Sequence, residues 1–138
     1  MMKNQRVIEI MNKDPKCLEK SSPLKSVVEL ISAHRFSHVP VLSEGKLVGI
    51  VSKSDLINRF LQMLNQTSGK FYSKMLMEHI KVEDIMKADP ITIHENDDIE
   101  YASELLLQGE FHSLIVLNDK DAVTGIVTAY DILKAKSQ

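Results

Sequence analysis

Two stretches of the chain place a hydroxyl three residues ahead of a carboxylate: Ser52-Lys53-Ser54-Asp55 and Thr128-Ala129-Tyr130-Asp131. At the start of a helix this spacing closes a reciprocal cap. The hydroxyl accepts a backbone N–H, and the carboxylate reaches back to the N–H of the cap residue. The same geometry suits a ligand. A helix start offers unpaired N–H donors and the positive end of the helix dipole, both attractive to phosphate. The hydroxyl adds a bond to phosphate or ribose, and the two carboxylate oxygens of Asp55 or Asp131 can accept both hydroxyls of a ribose. Spacing alone leaves capping and ligand binding both open.

Each motif follows the same apolar run, Gly49-Ile50-Val51 in one copy and Gly125-Ile126-Val127 in the other, and the likeness extends outward. Arg6 to Met11 aligns with Lys81 to Met86, Asp14-Pro15 with Asp89-Pro90, Glu29-Leu30 with Glu104-Leu105, and Val41-Leu42 with Val116-Leu117, all 75 residues apart. The offset grows to 76 at the motif, which puts one extra residue in the turn around Asn118 to Asp121, where an insertion is tolerated best. The chain therefore divides into a unit at 1–60, a helical connecting segment at 61–80 and a second unit at 81–138. A repeat of this length is one supersecondary unit used twice.

The elements that position the motifs follow from periodicity. Ser22-Pro23 reads as a helix start, with Ser at the cap and Pro at the first helical position. Leu24, Val27, Val28 and Ile31 make one apolar stripe. His38 to Leu42 and Leu47 to Val51 form a hairpin around Ser43-Glu44-Gly45-Lys46. In the second unit Ile91-Thr92-Ile93 is a strand, Asp97 and Glu100 have capping-box spacing, and Ser113–Leu117 pairs with 122–127. Asp14-Pro15 breaks the lead-in turn and biases Asp14 toward extended backbone. Apolar residues in 71–80 suggest one more helix, either packed on its own unit or used for association. The strand face with Val39, Val41, Leu114 and Val116 is expected to need the sister unit for cover, because a unit of this size is marginal alone.

In order and content, this pattern resembles the CBS domain, named after cystathionine β-synthase, which occurs as tandem pairs. The resemblance covers nearly the whole chain outside 61–80. It implies an α/β fold of two β-α-β-β-α units related by a pseudo-twofold axis, with ligand clefts between them, and a homodimer. It implies that Asp55 and Asp131 hold ribose while Ser52 and Thr128 contact ribose or phosphate. Adenine is then expected against Cys17, Leu18, Val39, Pro40, Ile91, Thr92, Ile93, Leu114 and Ile115, read mainly by backbone. Some nucleotide-binding members carry a His-Arg pair before the central strand. This chain has Ser37-His38 and His112-Ser113 instead, which leaves Lys53, Arg35, His38 and His112 as candidate phosphate partners. The implied function is a regulatory sensor of an adenosine-type ligand (AMP, ADP, ATP or S-adenosylmethionine) acting on an effector protein in trans. The alternative is an interaction or scaffold subunit with empty clefts.

Composition narrows the other classes. With 43% hydrophobic and 26% charged residues and a net charge of −2, the sequence reads as an ordinary globular protein without the basic footprint of a nucleic-acid binder. One cysteine, Cys17, forms no intramolecular disulfide. No apolar run is long enough to span a bilayer and no signal core opens the chain, so the expectation is a cytoplasmic protein. The five histidines offer no convergent ligand set for zinc, and neither a nucleophile elbow nor a Walker loop is present, so no catalytic role is expected.

Overall fold

The computed structural model describes residues 5–34, 37–66, 78–109 and 112–137. The β-branched and apolar runs of each repeat form the inner strands of two sheets, and the stripe-bearing segments form the helices behind them. The elements are α1 (Val7–Ile10), β1 (Asn12–Lys13), β2 (Leu18–Glu19), α2 (Leu24–His34), β3 (His38–Ser43), β4 (Lys46–Ser52), α3 (Lys53–Gln66), a 3-10 turn (Val82–Asp84), β5 (Lys87–Ala88), β6 (Thr92–His94), α4 (Ile99–Leu107), β7 (Ser113–Leu117), β8 (Val123–Thr128) and α5 (Ala129–Lys136). Each repeat thus contributes the expected β-α-β-β-α order: β2-α2-β3-β4-α3 and β6-α4-β7-β8-α5.

One sheet runs β2-β3-β4-β5 and the other β1-β8-β7-β6. In both, a helix carries the chain between two parallel strands, and an antiparallel hairpin follows. The edge strands are exchanged. β1 lies in the first repeat but pairs with β8 of the second, Asn12 opposite Ile126. β5 lies in the second repeat but pairs with β4 of the first, Ile50 opposite Lys87. The compact units consequently differ from the sequence repeats: residues 1–15 join 90–138, and 16–89 form the other unit.

The unit at 16–89 has a core of Leu24, Val27, Val41, Val51, Leu56 and Val82, with Ile80, Ile85 and Met86 packed against it. The unit of 5–15 and 90–137 is centred on Val7, Ile93, Ala102, Leu114, Val116, Val127 and Ile132. Val41, Leu114 and Val116 therefore lie in cores backed by their own helices. This corrects the expectation that they form a face awaiting cover; Val39, the fourth residue of that face, is fully buried but lies outside both clusters. The side chains on the opposite parity, Pro40 and Ile50 in one sheet and Ile115 and Ile126 in the other, are buried outside these clusters.

Three local expectations change. Asp14 and Asp89 adopt left-handed backbone, φ 54° and 53°, overriding the extended bias before proline; Asp tolerates that region better than most residues. Helix α2 starts at Leu24, and Pro23 forms a bridge with Lys81. Asp97 makes no box with Glu100: its carboxylate accepts the His94 N–H at 2.9 Å, while Glu100 pairs with Lys136 at 3.4 Å. The hairpin turns do follow the repeat offset. Glu44 and Gly45 both have positive φ, as a two-residue primed turn requires. The longer turn of the second copy is closed by Asn118, whose side-chain oxygen accepts the N–H groups of Lys120 and Ala122. The expected helix at 71–80 falls largely outside the described residues; of its end, Ile80 packs on the 16–89 core.

Candidate functional site

Both Ser/Thr-x-x-Asp motifs stand where an inner strand turns into a helix, β4 into α3 and β8 into α5. Ser52 Oγ donates to Asp55 Oδ2 at 2.8 Å and accepts the Asp55 N–H at 3.0 Å; the Ser52 N–H also donates to Oδ2, at 3.1 Å. Thr128 repeats the pattern: its N–H and hydroxyl donate to Asp131 Oδ2 at 2.8 and 3.0 Å. The carboxylates therefore cap their helices, as the spacing permits, but each does so through one oxygen. The second oxygen remains for another partner.

What else each carboxylate meets differs between the copies. In the 16–89 unit, Lys87 from β5 brings its ammonium to 3.8 Å from Asp55 Oδ1. In the other unit, Asn12 from β1 donates its amide to Asp131 Oδ2 at 3.0 Å and to the Ile126 carbonyl at 3.3 Å. Among the described residues, Asp131 Oδ1 has no hydrogen-bond or ion-pair partner. Asn12 and Lys87 occupy matching positions of the repeat, 75 residues apart. Sequence reasoning missed both. The available signal was their place directly after the aligned Met11 and Met86, obscured because the two residue types differ and each acts on the other repeat's motif.

The glycine ahead of each motif explains how the exchanged strands come so near. A Cβ at Gly49 would lie 3.0 Å from the Lys87 carbonyl oxygen and run into the Met86 side chain. At Gly125 it would lie 3.0 Å from the Asn12 carbonyl oxygen and 2.8 Å from Met11 Cγ. These glycines admit the neighbouring edge strand and its methionine.

A groove of about 210 Å³ opens beside Asp55, lined by Asn58, Arg59 and Gln62 of α3 and by Asp84 and Ile85. The Arg59 Nε is buried there with no hydrogen-bond partner among the described residues, while its Nη1 donates to Gln62 Oε1 at 3.4 Å. Asp84 is held by the Lys81 N–H at 2.9 Å.

The remaining sequence candidates divide between the units. Lys53 opens α3, exposed, its N–H donating to the Ser37 carbonyl at 2.8 Å. His38 pairs in register with Ser52, and its Nδ1 lies 3.1 Å from Ser37 Oγ. His112 is exposed next to β7; Arg35 lies outside the described residues. Leu18 packs on the 16–89 core, and burial pushes the thiol of neighbouring Cys17 above its ordinary range. Val39 and Pro40 are fully buried on β3. In the other unit Ile93 and Leu114 belong to the core and Ile91 packs on it, Thr92 is exposed, and Ile115 is fully buried. Ile115 is tied to that strand by its N–H, which donates to the Ile91 carbonyl at 3.2 Å. The side chains of Leu114 and Ile93 are committed to that core. Among the described residues, no group of three or more His, Cys, Asp or Glu could hold a metal ion, and no helix is long and apolar enough to cross a membrane.

Known proteins share this architecture. The family profile of the CBS domain matches residues 7–62 and 82–138. The CBS domain-containing protein MJ0729 of Methanocaldococcus jannaschii is 29% identical over 132 residues, which cover 94% of this chain and 93% of that protein. An uncharacterized protein of the same organism, MJ1225, is 27% identical over 95% of this chain but only 47% of its own length. The chain spans about half or less of the length of several curated relatives it matches. Among solved structures, CBSX2 in complex with AMP has a TM-score of 0.76 at 25% identity, with 96% of each chain covered. The CBS domain pair of MJ0100, in complex with 5′-methylthioadenosine and S-adenosyl-L-methionine, has a TM-score of 0.79 at 24% identity over 98% of each chain, a likeness of fold. Two profile matches, one on each repeat, and two β-α-β-β-α units lead to one conclusion: the chain carries a tandem pair of CBS domains and belongs to the CBS-domain family.

Proposed function

We propose that this protein is a regulatory module that binds an adenosine-containing ligand at its Ser/Thr-x-x-Asp corners and passes the binding state to a partner protein. The observation that carries the reading is the Asp131 carboxylate. One of its oxygens caps α5, and the other is left for a ribose hydroxyl beside a hydroxyl-bearing residue at a helix start. At Asp55 the cap recurs, and the second oxygen faces the Lys87 ammonium at 3.8 Å. The AMP held by CBSX2, a protein of like fold and 25% identity, supports an adenine nucleotide as the ligand class; AMP, ADP, ATP and S-adenosylmethionine are the compounds to test. A ligand shifts a regulatory equilibrium only by its differential affinity for two arrangements, so the output runs through an effector in trans or through association of copies.

Ile57 and Leu61 on α3 and Tyr130 and Leu133 on α5 are exposed. Ile57 and Leu133 hold the same position of the repeat, and such matched apolar faces favour a homodimer as the working assembly. The setting consistent with this reading is the cytoplasm, where adenine nucleotides are abundant. The test is a thermal-shift and calorimetric series with adenosine, AMP, ADP, ATP and S-adenosylmethionine, paired with mass spectrometry of any compound retained on the purified protein. Saturable stabilisation by at least one compound, lost on Asp55→Ala plus Asp131→Ala, is the expected result. No binding by any of them overturns the reading in favour of an interaction subunit with empty sites.

A further inference from the structure

The two motif copies sit in different electrostatic settings, and the difference is concentrated at three matched positions. Around Asp55 these are Lys53, Arg59 and Lys87; around Asp131 they are Ala129, Ala135 and Asn12. One exchange runs the other way, Asn58 against Lys134. The acidic neighbours are matched: Asp84, which accepts the Lys81 N–H, stands where Glu9 accepts the Arg6 N–H. Lys13 follows Asn12 on β1, so its side chain leaves from the opposite face of the strand. Of the cations around Asp55, Lys87 lies 3.8 Å from Asp55 Oδ1 and Arg59 lines the groove beside it, so the Asp55 corner is the more cationic of the two.

We infer that the two corners select different ligands. The Asp55 corner takes a phosphate-bearing nucleoside, the Asp131 corner takes an uncharged one, and the residue supplied by the exchanged edge strand, Lys87 or Asn12, is the selector. The inference rests on the proposed nucleoside reading and assigns a ligand charge to each copy. Lys87 holds its ammonium 3.8 Å from Asp55 Oδ1 while remaining 59% exposed, so it can swing to a phosphate when a ribose occupies the carboxylate. Arg59 one turn along α3 has a buried Nε with no partner among the described residues, in a groove that begins at Asp55; an anion there would engage a guanidinium that α3 leaves underused. Asn12 instead spends its amide on Asp131 Oδ2 and the Ile126 carbonyl. It brings no charge, and it leaves Oδ1 for a ribose hydroxyl.

The test is calorimetry on the full-length chain with adenosine and AMP as probes. Asp131→Ala leaves the Asp55 corner, and Asp55→Ala leaves the Asp131 corner. The first variant is expected to bind AMP at least about tenfold tighter than adenosine, the scale of one charge-assisted hydrogen bond. The second is expected to bind the two probes alike. Adding Lys87→Asn to the Asp131→Ala variant should collapse its AMP-to-adenosine ratio, and Lys87→Arg should keep it. Adding Asn12→Lys to the Asp55→Ala variant should raise the ratio, and added salt should lower every ratio above one. Circular dichroism melts identify folded variants, and Asp131→Asn replaces Asp131→Ala if the latter is unfolded. Equal ratios at the two corners overturn the inference, as does a Lys87→Asn change that weakens both probes by the same factor. If the wild-type chain binds neither probe, the nucleoside reading fails first and takes this inference with it.

Discussion

Exchange of the edge strands predicts which fragments of the chain fold. A cut along the sequence repeat gives residues 1–60, which lack the whole of 78–89. That stretch supplies Val82, fully buried, and Ile80, Ile85 and Met86, which pack on the same core. Full burial of a side chain such as Val82 is worth about 1.5–3 kcal/mol, and three half-buried ones add about 1 kcal/mol each, so roughly 5 kcal/mol of burial is lost. Besides the β4–β5 pairing, four backbone bonds go as well: Leu24 N–H to the Ile80 carbonyl, Val82 N–H to that of Ser22, Glu83 N–H to that of Lys20 and Asp89 N–H to that of Val48, at 2.8, 2.8, 3.1 and 3.3 Å. At about 1 kcal/mol net each, these four bring the loss to roughly 9 kcal/mol. A domain of this size has only about 4–11 kcal/mol in total. A cut along the compact unit, 16–89, keeps all four strands β2 to β5. Urea unfolding followed by far-ultraviolet circular dichroism should therefore show a cooperative transition for 16–89 and none for 1–60. The reasoning is refuted if 1–60 melts cooperatively with a midpoint at or above that of 16–89, for then the exchanged segment contributes nothing to its adopted core.

Other outcomes follow from single contacts. Gly49→Ala and Gly125→Ala should each lower stability by about 1–3 kcal/mol through overpacking against the carbonyl and methionine of the exchanged strand; denaturant midpoints measure it, and a neutral Gly125→Ala would show that β1 can simply move away. Asp131→Ala should remove the α5 cap and cost about 1 kcal/mol of stability, while weakening adenosine binding by about tenfold or more, read by melting and calorimetry together. Burial raises the Cys17 thiol, so stability from that residue is fully present below its ordinary value of 9.0 and is lost as pH rises through the higher folded value. Alkylation rates in the folded protein should accordingly rise at higher pH than for a free cysteine, and a profile at or below the ordinary range would contradict the half-buried setting of Cys17.

Much of this fold was legible because its signals are local. A stripe of Leu24, Val27, Val28 and Ile31 can only be a helix face, and Gly-Ile-Val before Ser/Thr-x-x-Asp announces a strand that becomes a helix. The second turn could be given its extra residue from the offset alone. The exchange could not be read this way. β1 and β5 are two residues long, too short for any periodicity, and β1 pairs with a strand more than 100 residues away. Asp14 and Asp97 failed for a related reason. The bias before proline and the capping-box spacing are both averages over local context, and here the turn into β2 and the His94 N–H decided the outcome.

The same exchange sets what a substitution can do. Ser52 and Asp55 cannot change without disturbing the start of α3, because the groups that would meet a ligand are also its cap. Lys87 on the exchanged edge carries no such double duty: it is mostly exposed, and its charge reaches Asp55 Oδ1 rather than the capping oxygen. Asn12 is more tightly tied, because it donates to the Asp131 oxygen that caps α5 and to the Ile126 carbonyl. On the proposed reading, the charge offered to a ligand can therefore be altered at position 87 while the motif proposed to hold ribose stays fixed. Since Lys87 and Asn12 each lie in the opposite repeat from the motif they meet, changing one repeat's lead-in alters the surroundings of the other repeat's motif. Two copies of one unit can in this way acquire different surroundings although their motifs are nearly identical.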